Sequence, residues 1–567
     1  MRRHWSPTRG RTGTALVAVV LLAAGPLLPA PAPAQEVVRS APRELATAPS
    51  LEIRDGQLLL SLEDAIVAAL RRNLGLQIQR FRREQAFEGI RQSMGIFDLG
   101  LSAQTNTFEE TSPSASALQG ANIFESEGTN FNLQLEQLLG TGGVVNFLWN
   151  NARQETNSVF SAVNPSYNVS TDIEFTQPLL SGFGSDVTRR NLYIARNNSL
   201  ISQEALELQV IATVVDVEAT YWDLVENQEQ LKVSLESLEL AKELHEMNRI
   251  QVEVGTMAPL ELVQSEVGVA TREEEVLRAE TVAEDAADRL RQLLNLESEA
   301  LWTTPIVPTT DPMIERITID VDQSIAMALA ERSELRQQDL VLRNLELDRR
   351  VFGSLVRPRL DLQLRYGFNG LGGDVNIGGG GPFDPRPPEI VEGGYSDAID
   401  QIFEADFEGW SGGFVFGYPI QNREARALRT IAELALDEGR TALDDLRLAI
   451  LTEVRRTARA VGSAAEAIDL AQKSTELAER NLDAEQKRYE NGLSTSFQVL
   501  EIQEDLTLAR SREVTAIAGY RRALVLYYRA LGRLLDENGI VLEDSTAEGP
   551  AGDSRPAGEP PSADAPP

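Results

Sequence analysis

The strongest constraint on how this chain folds is a pair of very long segments with almost no helix-breaking residue. Residues 187–250 contain neither proline nor glycine, and residues 423–490 contain only Gly439 and Gly462. An α-helix of about 60 to 70 residues is a rod of roughly 100 Å, several times the width of a compact domain. Because a single globular core cannot enclose such a rod, the sequence predicts an elongated, largely helical protein.

Glycine turns reverse the chain after both long segments. The turns lie at Gly255 and Gly492, and the chain is expected to return in helices at about 260–294 and 497–535. Apolar residues of the first segment recur at steps of three and four, which is typical of coiled-coil packing. These residues are Leu231, Leu235, Leu238, Ala241, Leu244, Met247 and Ile250. The sequence therefore predicts two antiparallel helical hairpins.

The two halves of the chain repeat one plan. Gly255 corresponds to Gly492 at an offset of 237 residues (492 − 255), and Leu240-Ala241 corresponds to Leu477-Ala478 at the same offset. The helices that open the halves match at an offset of 259, since Ile66 corresponds to Ile325 (325 − 66). The difference of 22 (259 − 237) means that the first half carries 22 additional residues between these landmarks.

Between the opening helices and the long helices, the hydrophobic period changes to two. Four segments of the first half alternate apolar and polar residues, near 99–103, 131–136, 145–149 and 167–175, and two segments of the second half do so near 360–366 and 410–418. Strands of about ten residues with this alternation suit a membrane-spanning β-strand. They equally suit an ordinary half-buried antiparallel sheet, and the rod-like helices favour the membrane interpretation.

The ends of the chain and its composition narrow the class of protein. Four arginines within the first eleven residues precede an apolar stretch at about 15–30, and Ala32-Pro33-Ala34 is a small-residue cleavage site, so residues 1–34 are expected to be a signal peptide. The alternative, a membrane anchor, is disfavoured by Gly25 and Pro26. The chain has no cysteine and a formal net charge of −33, which disfavours disulfides, thiolate metal sites and nucleic-acid binding. After the signal no apolar run of about 18 residues occurs, so any membrane crossing is expected to use a closed β-barrel.

No motif of catalysis, cofactor binding or metal binding stands out. The chain lacks a nucleophile elbow, a phosphate loop and a zinc signature, and His245 is expected to be a surface helix residue rather than a metal ligand. Carboxylates follow both glycine turns, at Glu261 and Glu501. In an oligomer they can form a ring that selects cations, and the alternative is that they are solvated residues of helix faces.

Four short motifs carry a family resemblance. They are residues 177–184 (Gln-Pro-Leu-Leu-Ser-Gly-Phe-Gly), residues 219–224 (Ala-Thr-Tyr-Trp-Asp-Leu) and the turn segments 254–259 and 489–494. In this order, with the duplicated plan and the expected signal peptide, the chain resembles the TolC family of outer-membrane efflux proteins. The resemblance covers nearly the whole mature chain.

The resemblance implies a fold class and an assembly. The fold is an α+β membrane protein, a TolC-like trimeric outer-membrane β-barrel continued by a long periplasmic α-helical barrel of antiparallel coiled-coil hairpins, with an internal two-fold sequence repeat. The implied partners are two further copies in a homotrimer, outer-membrane lipid, a periplasmic membrane-fusion adaptor protein and an inner-membrane pump of the RND, ABC or MFS type. No cofactor and no nucleic acid are expected.

The resemblance also implies a gate at the periplasmic entrance. Tyr489 is expected to donate a hydrogen bond to Glu261, and the two positions of the family's acidic ring are Gln498 and Glu501 here. Because Ser494 stands where arginine occurs in the family, an arginine-based lock at this position is in doubt. The hairpin tips expected to contact the adaptor comprise Gly255, Thr256, Met257, Ala258, Pro259, Gly492, Leu493 and Ser494.

These observations predict the following organisation. The expected parts are a signal peptide (1–34), an irregular segment (35–56), a first repeat (57–302) with strands at about 97–176 and a helical hairpin at 186–295, a linker (303–318), a second repeat (319–543) with strands at about 359–419 and a helical hairpin at 423–537, and a disordered tail (544–567). The surplus of the first half is assigned to an extra hairpin at 130–150, which either joins the barrel wall or lies outside it as an excursion, and the excursion is the expectation.

The expected function is passive transport through an exit duct. The duct would serve a tripartite efflux pump or a type I secretion system and carry small molecules or polypeptides from the periplasm to the exterior. The alternative is a periplasmic structural coiled coil or an adhesin stalk. No constellation of residues supports an enzyme.

Overall fold

The computed structural model describes residues 53–113, 123–158, 161–296, 298–312, 316–378 and 389–541. The expected signal peptide, most of the irregular segment 35–56 and the expected tail 544–567 lie outside the described residues. The chain divides into two compact units. We call them the sheet unit (Gln85–Ser199 and Leu340–Arg440) and the helical unit (Leu200–Asp339, with the described parts of Ala48–Glu84 and Thr441–Pro567).

The helices of the described residues are numbered in chain order. They are α1 (Leu62–Arg72), α2 (Leu74–Met94), α3 (Ser185–Thr188), α4 (Arg190–Glu253), α5 (Pro259–Leu293), α6 (Glu299–Thr303), α7 (Val321–Glu331), α8 (Ser333–Leu355), α9 (Tyr395–Glu404), α10 (Arg423–Glu490), α11 (Ser496–Leu531) and α12 (Leu534–Glu537). Within the described ranges, none of these helices is both long and apolar enough to cross a membrane.

The strands form two sheets. They are β1 (Ile53–Arg54), β2 (Gln57–Leu60), β3 (Gly100–Pro113), β4 (Ile123–Leu138), β5 (Val144–Thr156), β6 (Val163–Pro178), β7 (Ile306–Pro308), β8 (Arg359–Ile377), β9 (Glu389–Val391) and β10 (Glu408–Gly417). A small sheet of the helical unit has the order β1-β2-β7, and the large sheet of the sheet unit has the order β10-β8-β6-β5-β4-β3, with β9 paired to β8.

The two long helices form where the sequence predicts them. α4 has 64 residues and α10 has 68, and the returning helices α5 and α11 have 35 and 36. No interior proline interrupts α4 or α10, so the backbone hydrogen-bond ladder continues throughout each helix. The prediction of two helical hairpins is correct, with bounds that differ by a few residues.

The helices that open the two halves each break once, between α1 and α2 in the first half and between α7 and α8 in the second. The breaks lie at Asn73 (φ −59°, ψ 125°) and Arg332 (φ −69°, ψ 127°), both extended at ψ. These residues are 259 positions apart (332 − 73), which is the offset of the repeat in this region. Neither glycine nor proline marks the breaks, so they carry no local sequence signal. The repeat nevertheless extends to the backbone conformation at these two residues.

The buried face of α4 differs from the predicted stripe. Ser234, Ser237, Ala241, Leu244 and Asn248 are buried at steps of three and four. Three members of the predicted stripe are exposed in the single chain, namely Leu235, Met247 and Ile250. Small polar residues occupy the seam because they allow close approach, as where Thr507 of α11 donates to Ser237 at 3.0 Å. The predicted stripe is therefore correct at Ala241 and Leu244 and wrong at Leu235, Met247 and Ile250.

The large sheet contains the additional hairpin as an integral part. β4 and β5 pair with each other in continuous antiparallel register, β4 pairs with β3, and β5 pairs with β6. The expectation that residues 130–150 form an excursion is wrong for this sheet, because removing β4 and β5 would separate β3 from β6. The four strands of the first half have 13 to 16 residues, longer than the ten expected.

The register gives the large sheet one apolar and one polar face. The apolar face carries Leu133, Phe147, Ile173 and Tyr366. The register places Leu133 opposite Trp149, Phe147 opposite Ile173, and Ile173 opposite Tyr366, so these side chains lie on the same face. On the polar face Asn150 donates to Ser170 at 3.2 Å, Gln134 donates to Asn146 at 3.3 Å, and Arg365 donates two 3.0 Å hydrogen bonds to Asp172. The alternation predicted from the sequence is thus present across six strands.

Regular secondary structure lies on both sides of residues 379–388. β8 continues to Ile377, β9 pairs with it, and α9 follows at once. Residues 379–388 lie outside the described chain.

The helical unit is built around the small sheet. Leu58, Leu60 and Ile306 of that sheet are buried in one cluster with Tyr221 and Trp222 of α4. The Tyr221 hydroxyl donates to the Leu60 carbonyl oxygen at 3.0 Å and accepts from the Thr310 amide at 3.1 Å. Three residues of the 219–224 motif, Tyr221, Trp222 and Leu224, lie in this core cluster, and their role is structural.

Candidate functional site at the helical hairpin tips

The two hairpin turns have the same backbone geometry. Gly255 and Gly492 have positive φ values of 78° and 68°, a region that glycine enters at little cost. In the first turn the Thr256 amide donates to the Gln251 carbonyl at 2.9 Å, and in the second the Leu493 amide donates to the Arg488 carbonyl at 2.8 Å. Both turns are thus Schellman caps, which end a helix by satisfying its last carbonyl groups.

A buried tyrosine joins the second hairpin to the first. The Tyr489 hydroxyl donates to the side-chain oxygen of Asn248, and both residues are buried, with Asn248 completely inaccessible. Leu244 and Val499 pack with Tyr489, and the sulfur of Met257 lies 3.9 Å from its hydroxyl oxygen. The predicted hydrogen bond from Tyr489 to Glu261 is wrong, because Asn248 presents its amide oxygen to the hydroxyl instead.

Glu261 makes a second connection between the hairpins. Its carboxylate accepts a short hydrogen bond from the Ser496 hydroxyl and a 3.3 Å hydrogen bond from the Ser496 amide. Ser496 is fully buried and is the first residue of α11, so the carboxylate lies at a helix N-terminus, where negative charge is stabilised. Glu261 also affects its neighbour, because burial, and after it the charge of Glu261, raise the pKa of Tyr489 above its ordinary value. The phenol therefore remains protonated as a donor at neutral pH.

Ser494 takes part in a third set of contacts, within the second hairpin. Its hydroxyl donates to Glu485 and lies 3.0 Å from the Gln498 side-chain oxygen. Arg488 donates to the other oxygen of Glu485 at 3.1 Å. An arginine is thus present at the tip, although it precedes the turn rather than following it at position 494.

Glu501 stands apart from these contacts. Its side chain is exposed and makes no hydrogen bond or ion pair with any residue that the structure describes. The remaining tip residues differ in exposure: Val254 and Leu493 are about two-thirds exposed, whereas Met257 is half-buried against Tyr489. The tip therefore presents an apolar and partly acidic surface around a buried polar centre.

Sequence reasoning missed several residues of this centre. Asn248 occupies a core position of α4, and a polar residue at such a position is the signal that could have found it. His245 is half-buried rather than on the surface, with its Nδ1 atom 3.0 Å from the hydroxyl of the buried Ser265. Buried Arg272 of α5 contacts Glu275 at 2.8 Å and Glu504 of α11 at 3.8 Å. Within the described ranges, no three His, Cys, Asp or Glu side chains are grouped so that they could hold a metal ion.

The large sheet with its apolar and polar faces, the paired helical hairpins and the connected tips define a class of channel-forming proteins. A family model described as outer membrane efflux protein matches residues 144–296 and 324–533, more than half of the chain. The pyoverdine export outer membrane protein OpmQ of Pseudomonas putida is 22% identical over 380 residues, which are 67% of this chain and 72% of that protein.

Solved structures show the same fold. The CmeC outer membrane channel of Campylobacter jejuni is 17% identical, with a TM-score of 0.60 over 83% of this chain and 86% of that one. The outer membrane protein VceC of Vibrio cholerae is 14% identical, with a TM-score of 0.59 over 83% of this chain and 96% of that one.

The chain belongs to the outer membrane efflux protein family. It is an outer-membrane exit duct with a TolC-like fold and an internal repeat, and it is a channel protein rather than an enzyme. Members of the family form trimers and work with adaptor and inner-membrane pump partners. The predicted family, fold class, function and location are therefore confirmed, and the alternative of a structural stalk or adhesin is wrong.

Proposed function

We propose that the hairpin tips form the periplasmic entrance of the duct and that the Tyr489–Asn248 and Ser496–Glu261 contacts hold this entrance in a narrow state. The observation that carries the proposal is the burial of Tyr489, Asn248 and Ser496, through which the two hairpins are connected near the point where the chain reverses. In three copies, moving one hairpin away from the other would widen the mouth. The entrance then opens only when both contacts break.

The exposed turn residues are the proposed docking site for a periplasmic adaptor. Gly255, Thr256, Ala258 and Pro259 of the first tip and Gly492 and Leu493 of the second present backbone and apolar surface rather than charge. The adaptor would connect the duct to an inner-membrane pump of the RND, ABC or MFS type. Cross-linking in cells followed by purification of the trimer identifies which of these pump classes is bound.

Small molecules exported from the periplasm or the inner-membrane pump are the proposed cargo. The relative OpmQ is named for export of pyoverdine, so a molecule of that size class is the first cargo to test. Uptake and efflux assays in a strain lacking the gene would show which compounds accumulate.

Tyr489→Phe is expected to raise single-channel conductance in planar bilayers. The change removes the hydroxyl and leaves the buried Asn248 oxygen without its donor, which costs about 1–3 kcal/mol and destabilises the narrow state. Tyr527→Phe is the matched control, because it also removes a buried hydroxyl, which lies 2.7 Å from Ser324, away from the tip. Equal conductance of Tyr489→Phe and the parent would show that the entrance is held by other residues.

Glu501 is proposed to contribute to a ring of carboxylates at the mouth. Three copies of an exposed, unpaired carboxylate near a narrow opening attract cations and favour their passage. Glu501→Gln is therefore expected to lower cation selectivity and divalent-cation block, while Glu501→Asp retains both. If Glu501→Gln leaves ion selectivity unchanged, Glu501 is a solvated helix residue only.

A further inference from the structure

The short helix α9 packs against the apolar face of the large sheet. The Tyr395 hydroxyl donates to the Asn151 side-chain oxygen at 2.7 Å, and the rings of Tyr395 and Tyr167 meet edge to face with centroids 6.1 Å apart. Asn151 and Tyr167 belong to the same face as Phe147 and Ile173, because their residue numbers have the same parity on β5 and β6. The helix therefore lies on the side of the sheet opposite to the Arg365–Asp172 pair.

Glycines of β8 make room for this helix. A Cβ atom at Gly370 would collide with the carbonyl oxygen of Ala398, and one at Gly372 would collide with the carbonyl oxygen of Gly394. Ala398 is completely buried, and Gln401 bonds both the amide and the carbonyl of Leu371 at 2.9 Å. The backbone of α9 thus approaches the sheet as closely as backbone atoms allow, and only glycine fits beneath it.

Two flanks of α9 differ in chemistry. At 100° per residue, Ala398 and Ile402 point towards the sheet, Ile399 and Phe403 lie on one flank, and Asp400 lies on the other with Asp397 and Glu404. Phe403 is 85% exposed, whereas Ala398 of the same helix is completely buried. Nearby on the chain, Phe407 is 57% exposed and Trp410, which lies on the apolar face of β10, is 79% exposed. The apolar surface of α9 therefore extends beyond the residues that face the sheet, through Ile399 and Phe403.

We propose that α9 is a membrane-interface helix that lies against the outside of the sheet, with Ile399 and Phe403 in the acyl chains of the surrounding leaflet and Asp400 and Glu404 in water. The proposal rests on the apolar face of the sheet facing lipid, as the location of the protein in the outer membrane requires. Aromatic side chains are favoured at the boundary between acyl chains and headgroups, and amphipathic helices lie in this plane.

Lipid fits this flank better than a protein partner or the interior of the duct. Trp410 is 79% exposed on the apolar face of β10, the same side of the sheet on which α9 lies, so exposed apolar side chains of the helix and of the sheet share one side. The interior of the duct is excluded because α9 lies on the face opposite to the polar one. The carboxylates of the other flank would be costly in acyl chains and are placed towards water.

The absence of cysteine from the natural chain allows a direct test by spin labelling. Single-cysteine variants Phe403→Cys and Asp400→Cys would be labelled, reconstituted as trimers in phosphatidylcholine vesicles, and measured for collisions with oxygen, which concentrates in acyl chains, and with a water-soluble nickel chelate. Phe147→Cys and Asn168→Cys report separately on the apolar and polar faces of the sheet. All four variants are first checked for trimer formation.

We expect the Phe403 label to favour oxygen and the Asp400 label to favour nickel. Equal accessibility of the two labels to nickel would overturn the proposal, since α9 would then lie in water. Inaccessibility of the Phe403 label to both reagents would also overturn it and indicate a protein contact. If Phe147 favours oxygen and Asn168 favours nickel, the orientation of the sheet holds and the failure belongs to α9 alone. If Phe147 does not favour oxygen, the orientation of the sheet itself is wrong.

Discussion

Glu218 of α4 is a buried carboxylate whose protonation is tied to folding. It is 7% exposed and accepts a 2.8 Å hydrogen bond from Asn538. Burial raises its pKa from 4.5 to about 7, against the opposing effects of Asn538 and Arg521. Because the folded pKa lies above the unfolded one, the contribution of the neutral acid to stability is complete below pH 4.5. It is lost as pH rises from there towards 7.

The substitution Glu218→Gln should remove this pH dependence. A side chain that is always neutral avoids the burial of charge, so at pH 8 the variant should be more stable than the parent by up to about 3 kcal/mol. At pH 4 the two should unfold at similar temperatures, as followed by circular dichroism. Glu537→Gln replaces an exposed carboxylate next to Asn538 and is the control. Its stability relative to the parent should be the same at pH 4 and at pH 8. A difference between parent and Glu218→Gln that does not change with pH would contradict the expectation.

At the scale of single residues, the sequence predicted several residues of the tip but not their hydrogen-bond partners. Tyr489, Glu261 and both glycines lie at the tip as predicted, because turns and their flanking residues are encoded locally. The acceptor of the Tyr489 hydroxyl lies 241 positions away, at Asn248. Local sequence cannot rank Asn248 above Glu261 as the partner, since the choice depends on how far each side chain reaches once the hairpins are packed.

At the scale of single elements, β4 is the strand whose role differs most from expectation. Its apolar face carries Leu133, and Gln134 lies on the polar face with Asn146. Leu133→Arg is expected to reduce outer-membrane assembly, because a cation on the lipid face of such a strand costs about 2–4 kcal/mol near the membrane centre. Gln134→Arg, one residue along the strand, is the matched control and should assemble normally. Normal assembly of Leu133→Arg would indicate that β4 does not face lipid.

The long helices were predictable as elements, and α9 was not. Long stretches without proline and with at most two glycines predict α4 and α10, whereas α9 follows Gly393 and Gly394 in a segment that has the composition of a loop. Its helix forms because its apolar side chains find the glycine-lined surface of β8, a tertiary effect. The buried seam of α4 was misjudged for a related reason. In a multi-chain assembly a helix can carry two apolar faces, and periodicity alone cannot tell which one packs within its own chain.

At the scale of the whole molecule, the large sheet has two open edges. β3 and β10 are its outer strands in the described chain, and their unpaired backbone groups cannot remain unsatisfied in lipid. The strands alternate in direction from β10 to β3, so β3 of one copy can pair in antiparallel fashion with β10 of the next. Six strands in each of three copies then give a closed sheet of eighteen strands. A sheet of that size encloses a wider lumen than one built from four strands per copy.

Cysteine cross-linking would test this closure. Ser102 of β3 and Val415 of β10 both lie on the polar face, two residues from the strand ends Gly100 and Gly417, which lead to α2 and α10. In the cysteine-free chain, the double variant Ser102→Cys/Val415→Cys treated with a short bismaleimide should yield covalent dimers and trimers on denaturing gels. Each single variant is its control and should yield monomers, because neither edge then has a thiol partner. Further double variants, with the two cysteines shifted by two residues along the strands, test other registers. If all of these double variants yield only monomers, β3 and β10 are not neighbours between copies. The additional hairpin would then have to be accommodated without enlarging the closed sheet.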